Sequence, residues 1–278
     1  FLDNKIHTKS QLSQLLPDLP IVAEIPFIKN KDLFSLLSSN TKTSRDPLTE
    51  SFRMLVANLN YTIFKGEEKS KVILTTSSIK GEGKTIVSSN LSKLLSDKYN
   101  KVLLIGADLR NPQIHKYLDV KKTVLGLSDY VFRNDIDWKK CLIKRGNLDI
   151  LLSGTIPPNP SDLLSSEKFD TLLKTLKKEY DCIVIDSAPC LLVSDTFELS
   201  KKVDATLYVL RANHTDKSLV EFINENFKSK KLKNLNVIFN SVGNSVEYGY
   251  KYGYQYGYKY GYKYGYNYGY GYGYSEDL

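Results

Sequence analysis

Val72-Ile73-Leu74-Thr75-Thr76-Ser77-Ser78-Ile79-Lys80-Gly81-Glu82-Gly83-Lys84-Thr85 runs from a short apolar segment through a glycine turn and ends on Lys-Thr. Ile86–Tyr99 then reads as a helix, with Ile86, Val87, Leu91, Leu94 and Leu95 forming its buried stripe. Strand, glycine turn, Lys-Thr and helix together make a phosphate-binding loop. Consecutive backbone N–H groups and the helix N-terminus face anionic oxygens, the lysine adds a point charge, and the threonine hydroxyl can ligate Mg2+. The residues expected around a nucleotide are Ser78, Ile79, Lys80, Gly81, Glu82, Gly83, Lys84, Thr85 and Ile86. Ser78 stands where the common pattern has a glycine. Gly-Lys-Thr alone would also fit an ordinary glycine turn; the flanking strand and helix select the phosphate loop.

Working outward, Asp46-Pro47 supplies an N-cap and a first-turn proline for a helix running to about Phe64. Phe52, Leu55, Val56, Leu59 and Ile63 recur at helical spacing on one face. Downstream, Lys101–Arg110, Leu148–Leu152, Asp181–Asp186, Ala205–Arg211 and Asn236–Asn240 read as strands. Helices over Glu167–Tyr180 and near Asp216–Lys228 fall among them. Alternating strands and helices predict an α/β fold, a mostly parallel sheet flanked by helices. Ligands in such sheets bind at the carboxyl ends of the strands. Four of those ends carry unusual polar groups: Gly81–Thr85, Asp108 with Arg110, Asp186, and Asn240. Residues 1–44 hold three prolines and no sustained period; they read as a linker or partly docked arm, with a short strand over Leu19–Ile28. The phosphate-loop domain is expected over 45–246.

The 278 residues are 41% hydrophobic and 25% charged, enough for a core and too polar for a membrane-embedded body. No apolar run approaches the roughly 20 residues that span a bilayer. The chain starts at Phe1 without a signal-like segment, and it reads as a piece with further sequence upstream. Cys141, Cys182 and Cys190 lack metal-ligand spacing and read as reduced, partly buried thiols. The net charge of +8 lies wholly before residue 247, because Lys251, Lys259 and Lys263 balance Glu247, Glu276 and Asp277. Basic excess suits nucleic acid, an anionic membrane face, or acidic or phosphorylated partners. No nucleic-acid module is present, so no nucleic-acid partner is expected.

Residues 247–278 change character. Tyr248, Tyr250, Tyr252, Tyr254, Tyr256, Tyr258, Tyr260, Tyr262, Tyr264, Tyr266, Tyr268, Tyr270, Tyr272 and Tyr274 occupy every even position, separated by Gly, Lys, Gln or Asn. Glycine carries a high ordering cost and no aliphatic residue offsets it, so a disordered tail is expected. Such a tail could be adhesive. Attached to a phosphate loop, it is better read as a run of phosphoacceptors.

Nucleotide chemistry needs charge of both signs. Lys84 supplies the positive charge, and Thr85 and the strand-end Asp186 are the expected Mg2+ side. Asp108 is the second carboxylate, for metal or for proton transfer. Arg110 has two readings, a pair with Asp108 or a phosphate contact. Asp195 reads as a helix cap. Asn240 is the candidate for adenine, with Arg211 a weaker one.

Taken in chain order, these pieces resemble the cytoplasmic domain of bacterial protein-tyrosine kinases (BY-kinases). The carrying elements are Glu50-x-x-Arg53, Ser78–Thr85, Ala107-Asp108-Leu109-Arg110-Asn111-Pro112, Gly154–Leu164 with Pro-Asn-Pro-Ser-Asp-Leu-Leu, Ile183–Asp186 with Pro189, and the tyrosine-rich end. The resemblance covers about residues 45–278. It implies a phosphate-loop fold of the MinD/ParA-like branch, ATP and Mg2+ as cofactors, and autophosphorylation of the C-terminal tyrosines between subunits of a homo-oligomeric ring. It gives catalytic roles to Lys84, Asp108, Arg110 and Asp186, and an assembly role to Glu50 and Arg53. It further implies a cognate protein-tyrosine phosphatase, the polysaccharide export machinery as partner, and a place at the cytoplasmic face of the inner membrane. Three positions depart from the family pattern. Gly106 replaces the first aspartate of its Asp-x-Asp element, which leaves Asp108 as the element's carboxylate. Val56 replaces the second arginine of the assembly helix. Ile79 replaces the lysine that marks the dimerising MinD/ParA ATPases, which favours a kinase over a nucleotide-switched scaffold. A kinase that binds ATP yet transfers poorly is the remaining alternative.

Overall fold

The computed structural model describes residues 3–27, 46–63, 70–118, 120 and 124–243. The tyrosine positions Tyr248–Tyr274 lie outside them.

The helices are α1 (Lys9–Leu15), α2 (Pro47–Thr62), α3 (Lys84–Lys98), α4 (Leu127–Phe132), α5 (Pro160–Ser165), α6 (Glu167–Glu179), α7 (Asp195–Ser200) and α8 (Leu219–Lys228). The strands are β1 (Ile21–Pro26), β2 (Lys71–Ser77), β3 (Val102–Gly106), β4 (Leu142–Arg145), β5 (Leu148–Leu151), β6 (Cys182–Asp186), β7 (Ala205–Arg211) and β8 (Leu235–Val242). They form one sheet in the order β1-β8-β7-β2-β6-β3-β5-β4. Every neighbouring pair is parallel except β4 with β5.

Central strands β2, β3 and β6 are buried along their whole length, as continuous Val/Ile/Leu runs require when helices cover both faces. On one face α2 sets Phe52, Leu55 and Leu59, and α3 sets Val87, Leu91 and Leu95, against Ile73, Leu104 and Val184. On the other, Phe169, Leu172 and Leu176 of α6 cover Leu103, Ile105 and Ile183. Each such side chain contributes roughly 1.5–3 kcal/mol on burial. The ends follow local chemistry. The Asp46 side chain accepts from the Thr49 N–H at 3.0 Å ahead of Pro47, and Ser166 caps α6 by accepting from the Phe169 N–H at 3.2 Å.

One feature extends the sequence reading and one adds to it. The short strand expected over Leu19–Ile28 is β1, and the arm is docked on the domain as far as residue 27. β1 pairs in parallel with β8, while Ile6, Leu12 and Leu16 are buried beside Tyr208, Leu210 and Phe239. Its few apolar residues are spread over a backbone segment, one helix and one strand, so no single period betrays them. Strand β4 is an addition. It turns back onto β5 through Gly146 (φ +64°) and Asn147, and its half-exposed residues lack the apolar run that marks a buried strand. Among the described residues no helix is long and apolar enough to cross a membrane.

Candidate active site

The phosphate loop leaves β2 at the carboxyl edge of the sheet. Ser78 is accommodated in place of glycine because its hydroxyl meets the Tyr208 phenol at 2.9 Å. Gly81 and Gly83 have φ of +92° and +101°, a region that L side chains rarely enter. Gly83 is the N-cap of α3 and its carbonyl accepts from the Val87 N–H at 3.0 Å.

Glu82 is fully buried inside the loop. Its carboxylate accepts from the Ile79 N–H at 2.8 Å and from the Thr215 hydroxyl at 2.5 Å. Burial pushes its pKa up from 4.5 to about 7, against these hydrogen bonds. Three further contacts hold the loop from outside. Arg211 Nη1 donates to the Gly81 carbonyl at 2.9 Å, His214 Nε2 lies 3.1 Å from the Lys80 carbonyl, and Asn240 Nδ2 donates to the Glu82 carbonyl at 2.9 Å. Arg211 and Asn240, expected near the base, thus brace the loop, with the Asn240 Oδ1 also accepting from the Ser241 N–H. Sequence reading missed Glu82, His214 and Thr215 as braces, since nothing local distinguishes them from loop polar residues.

Lys84 enters from the first turn of α3. Its Nζ lies 3.0 Å from Asp108 Oδ2, and both side chains are almost entirely buried. Burial opposes the lysine charge, but Asp186 and Asp108 outweigh it and hold the pKa above its usual value. Asp186 ends β6 and accepts from the Thr85 hydroxyl at 2.9 Å. Burial, helped by Asp108, lifts it to about 6 in spite of Lys84. Its other oxygen, Oδ1, is buried with no hydrogen-bond partner among the described residues. An orphaned carboxylate oxygen beside a threonine hydroxyl fits Mg2+, a hard cation that takes one or two protein oxygens and fills its shell with phosphate and water. No cluster of three metal-ligating side chains occurs among the described residues.

The sheet therefore gathers Lys84, Thr85, Asp108 and Asp186 as expected from their strand ends. Arg110 does not pair with Asp108. It forms a bidentate pair with Asp195, Nε to Oδ2 at 2.7 Å and Nη2 to Oδ1 at 3.0 Å. Asp195 is correspondingly not the helix cap; Ser194 holds that place and Asp195 is the first residue of α7. Asp108 is engaged elsewhere: it accepts from the Asn111 N–H at 2.9 Å and is held by Lys84. Gly106 lies opposite Asp186 in the β3–β6 register. A Cβ there would lie 2.9 Å from Ser153 Oγ and 3.2 Å from Ser153 N, so the space that the family's aspartate would need is already occupied. Glu50 and Arg53 pair with each other along α2, and Val56 is buried.

Comparison with known proteins identifies the family. The AAA domain family matches residues 70–225. The tyrosine-protein kinase YwqD of Bacillus subtilis is 32% identical over 192 residues, 69% of this chain and 80% of YwqD. The chain belongs to the bacterial tyrosine-protein kinases. The family's CpsD from Streptococcus pneumoniae is 34% identical over 176 residues, 63% of this chain and 78% of CpsD. Among solved structures, the kinase domain of Escherichia coli tyrosine kinase ETK superposes with a TM-score of 0.71 at 26% identity, covering 82% of this chain and 92% of that one. As a bacterial tyrosine kinase the chain uses a nucleotide at its phosphate loop, on an α/β fold distinguished by a mostly parallel sheet.

Proposed function

We propose that this kinase transfers the γ-phosphoryl group of ATP to the tyrosines of its own C-terminal segment, supplied by a neighbouring subunit. The observation that carries the reading is the juxtaposition of Lys84 with Asp108 and Asp186 at the mouth of the phosphate loop. Phosphoryl transfer needs little covalent help from protein; it needs positioned charge. Lys84 is pre-set by two carboxylates to meet the phosphates. The loop N–H groups are held by braces from β7 and β8. Asp108, the carboxylate left by Gly106, is suited to accept the proton of the incoming tyrosine hydroxyl. Thr85 and Asp186 would hold Mg2+, which would supply positive charge to the nucleotide phosphates.

Residues 247–278 could reach on the order of 100 Å when extended, ample for a neighbour's site. Each phosphate adds about −1.5 to −2 charge to a segment that starts neutral. Unmodified tails seated in neighbouring sites would hold an oligomer together, and modified tails would repel and release it. Family resemblance supports a ring, Glu50 and Arg53 as assembly contacts, a cognate phosphatase, and a role in capsular or exopolysaccharide synthesis and export at the cytoplasmic face of the inner membrane.

The test is incubation with Mg-ATP followed by intact-mass analysis. Stepwise phosphate additions are expected, and they should vanish in Lys84→Met and in a chain ending at residue 246. ADP release without a mass change would replace the kinase with a scaffold ATPase. A phosphomimetic tail that leaves the light-scattering mass unchanged would sink the release step.

A further inference from the structure

The active site is assembled in two separately braced halves. One holds the phosphate loop: Glu82, Thr215, Arg211, His214 and Asn240 tie the ends of β2, β7 and β8 together. The other holds the carboxylates. Loops 107–113 and 187–194 leave adjacent strands β3 and β6 side by side, joined at their roots by the Ala107 N–H donating to the Asp186 carbonyl at 2.7 Å. At the far side they are joined by Arg110 and Asp195. Ser161, from the first turn of α5, donates its hydroxyl to Asp195 Oδ1 as well, and Arg110 Nη2 lies 3.4 Å from the same hydroxyl. Ser161 belongs to the Gly154–Leu164 segment, where Pro160 opens α5.

From this geometry we infer that Asp195, with Ser161, is a positioning residue for the kinase reaction: it latches Arg110, and through Arg110 sets the Asp108 loop against Asp186. Among the described residues the side chain of Asp195 is held by Arg110 and Ser161, neither of which belongs to the phosphate loop. Its side chain is 1% exposed while that of Arg110 is 42% exposed, so the latch is a buried carboxylate that captures a surface arginine. Burial works against the Asp195 charge, but the hydrogen bonds from Arg110 and Ser161 prevail and keep its pKa below the usual carboxylate value. The carboxylate is thereby a charged acceptor on three hydrogen bonds, the strong kind. Arg110 sits two residues after Asp108, so releasing it frees the loop that carries the carboxylate facing Lys84.

The inference rests on the kinase reading for its rate effect, and on the fold alone for its structural effect. The test uses the full chain with Asp195→Asn, Arg110→Ala, the two combined, and the milder Ser161→Ala. Phosphorylation kinetics, the affinity for a fluorescent ADP, and hydrogen exchange of peptides covering 107–118 and 78–90 are measured in each. Asp195→Asn should lower kcat on the order of 10–100-fold, as a misplaced reacting group does, with ADP affinity changed less than about twofold. Ser161→Ala should lower kcat by less, in the same direction. The double variant should be no slower than the slower single variant. Exchange should rise in 107–118 and stay unchanged in 78–90. Additive losses, an ADP affinity that falls in step with kcat, or unchanged exchange in 107–118 would each overturn the latch. If the wild-type chain transferred no phosphate to tyrosine, the kinase reading would fall, and the exchange result would decide the latch on its own.

Discussion

The side-chain amide of Asn240 occupies the space that a side chain on Gly83 would need: a Cβ there would lie 2.1 Å from Asn240 Nδ2. Gly83 also sits at φ +101°, so the position is closed both by a neighbour and by backbone conformation. Gly83→Ala should therefore cost about 1–3 kcal/mol and abolish nucleotide binding. Asn240→Ala should weaken binding less, since Glu82 retains its other braces. Combining the two should restore little, because the backbone strain remains. Recovery of normal ADP affinity in the double variant would show that crowding alone matters.

Glu82 links stability to pH. Its folded pKa of about 7 exceeds the ordinary 4.5, so its contribution is fully present below about 4.5 and is lost as pH rises through 7. The span corresponds to on the order of 3 kcal/mol. Glu82→Gln has no such group to ionise. Melting of the two proteins from pH 5 to 8 should show the glutamine variant gaining on wild type up to about pH 7 and then holding level. Parallel curves would mean that Glu82 is charged throughout.

Asp186→Asn tests the metal side. Asparagine can still accept from the Thr85 hydroxyl, yet offers no anionic oxygen at the orphaned Oδ1 position. The gain in ATP affinity that Mg2+ gives the wild type should disappear in the variant, while affinity in chelator stays similar. The fold should tolerate the change at neutral pH, because burial already raises the Asp186 pKa to about 6. Titrations with and without EDTA decide it.

Gly106→Asp, which would complete the family's pair of aspartates, should destabilise this chain. The new Cβ meets Ser153 Oγ at 2.9 Å, and overpacking of this kind costs about 1–3 kcal/mol. Adding Ser153→Gly should return part of the loss in a thermal melt. A single variant that melts with wild type would show that Ser153 gives way freely.

The fold was legible because its decisive signals are local. Apolar runs such as Ile183-Val184-Ile185 mark buried strands, and Gly83-Lys84-Thr85 after β2 marks the loop. Polar groups at strand ends then share an edge because parallel strands point the same way. β4 was hard to place because it is short and sits at an edge, where partial exposure removes the continuous apolar run.

Sequence by itself determined the α/β architecture, the phosphate loop, and the roles open to Lys84, Thr85, Asp108 and Asp186, since each depends on a residue type at a strand end. Only the tertiary structure decided who holds whom. Arg110 went to Asp195, 85 residues away, and Asn240 went to Glu82, 158 residues away. Hydrogen-bond partners across such separations follow from strand order and loop approach, and no spacing within the chain encodes them.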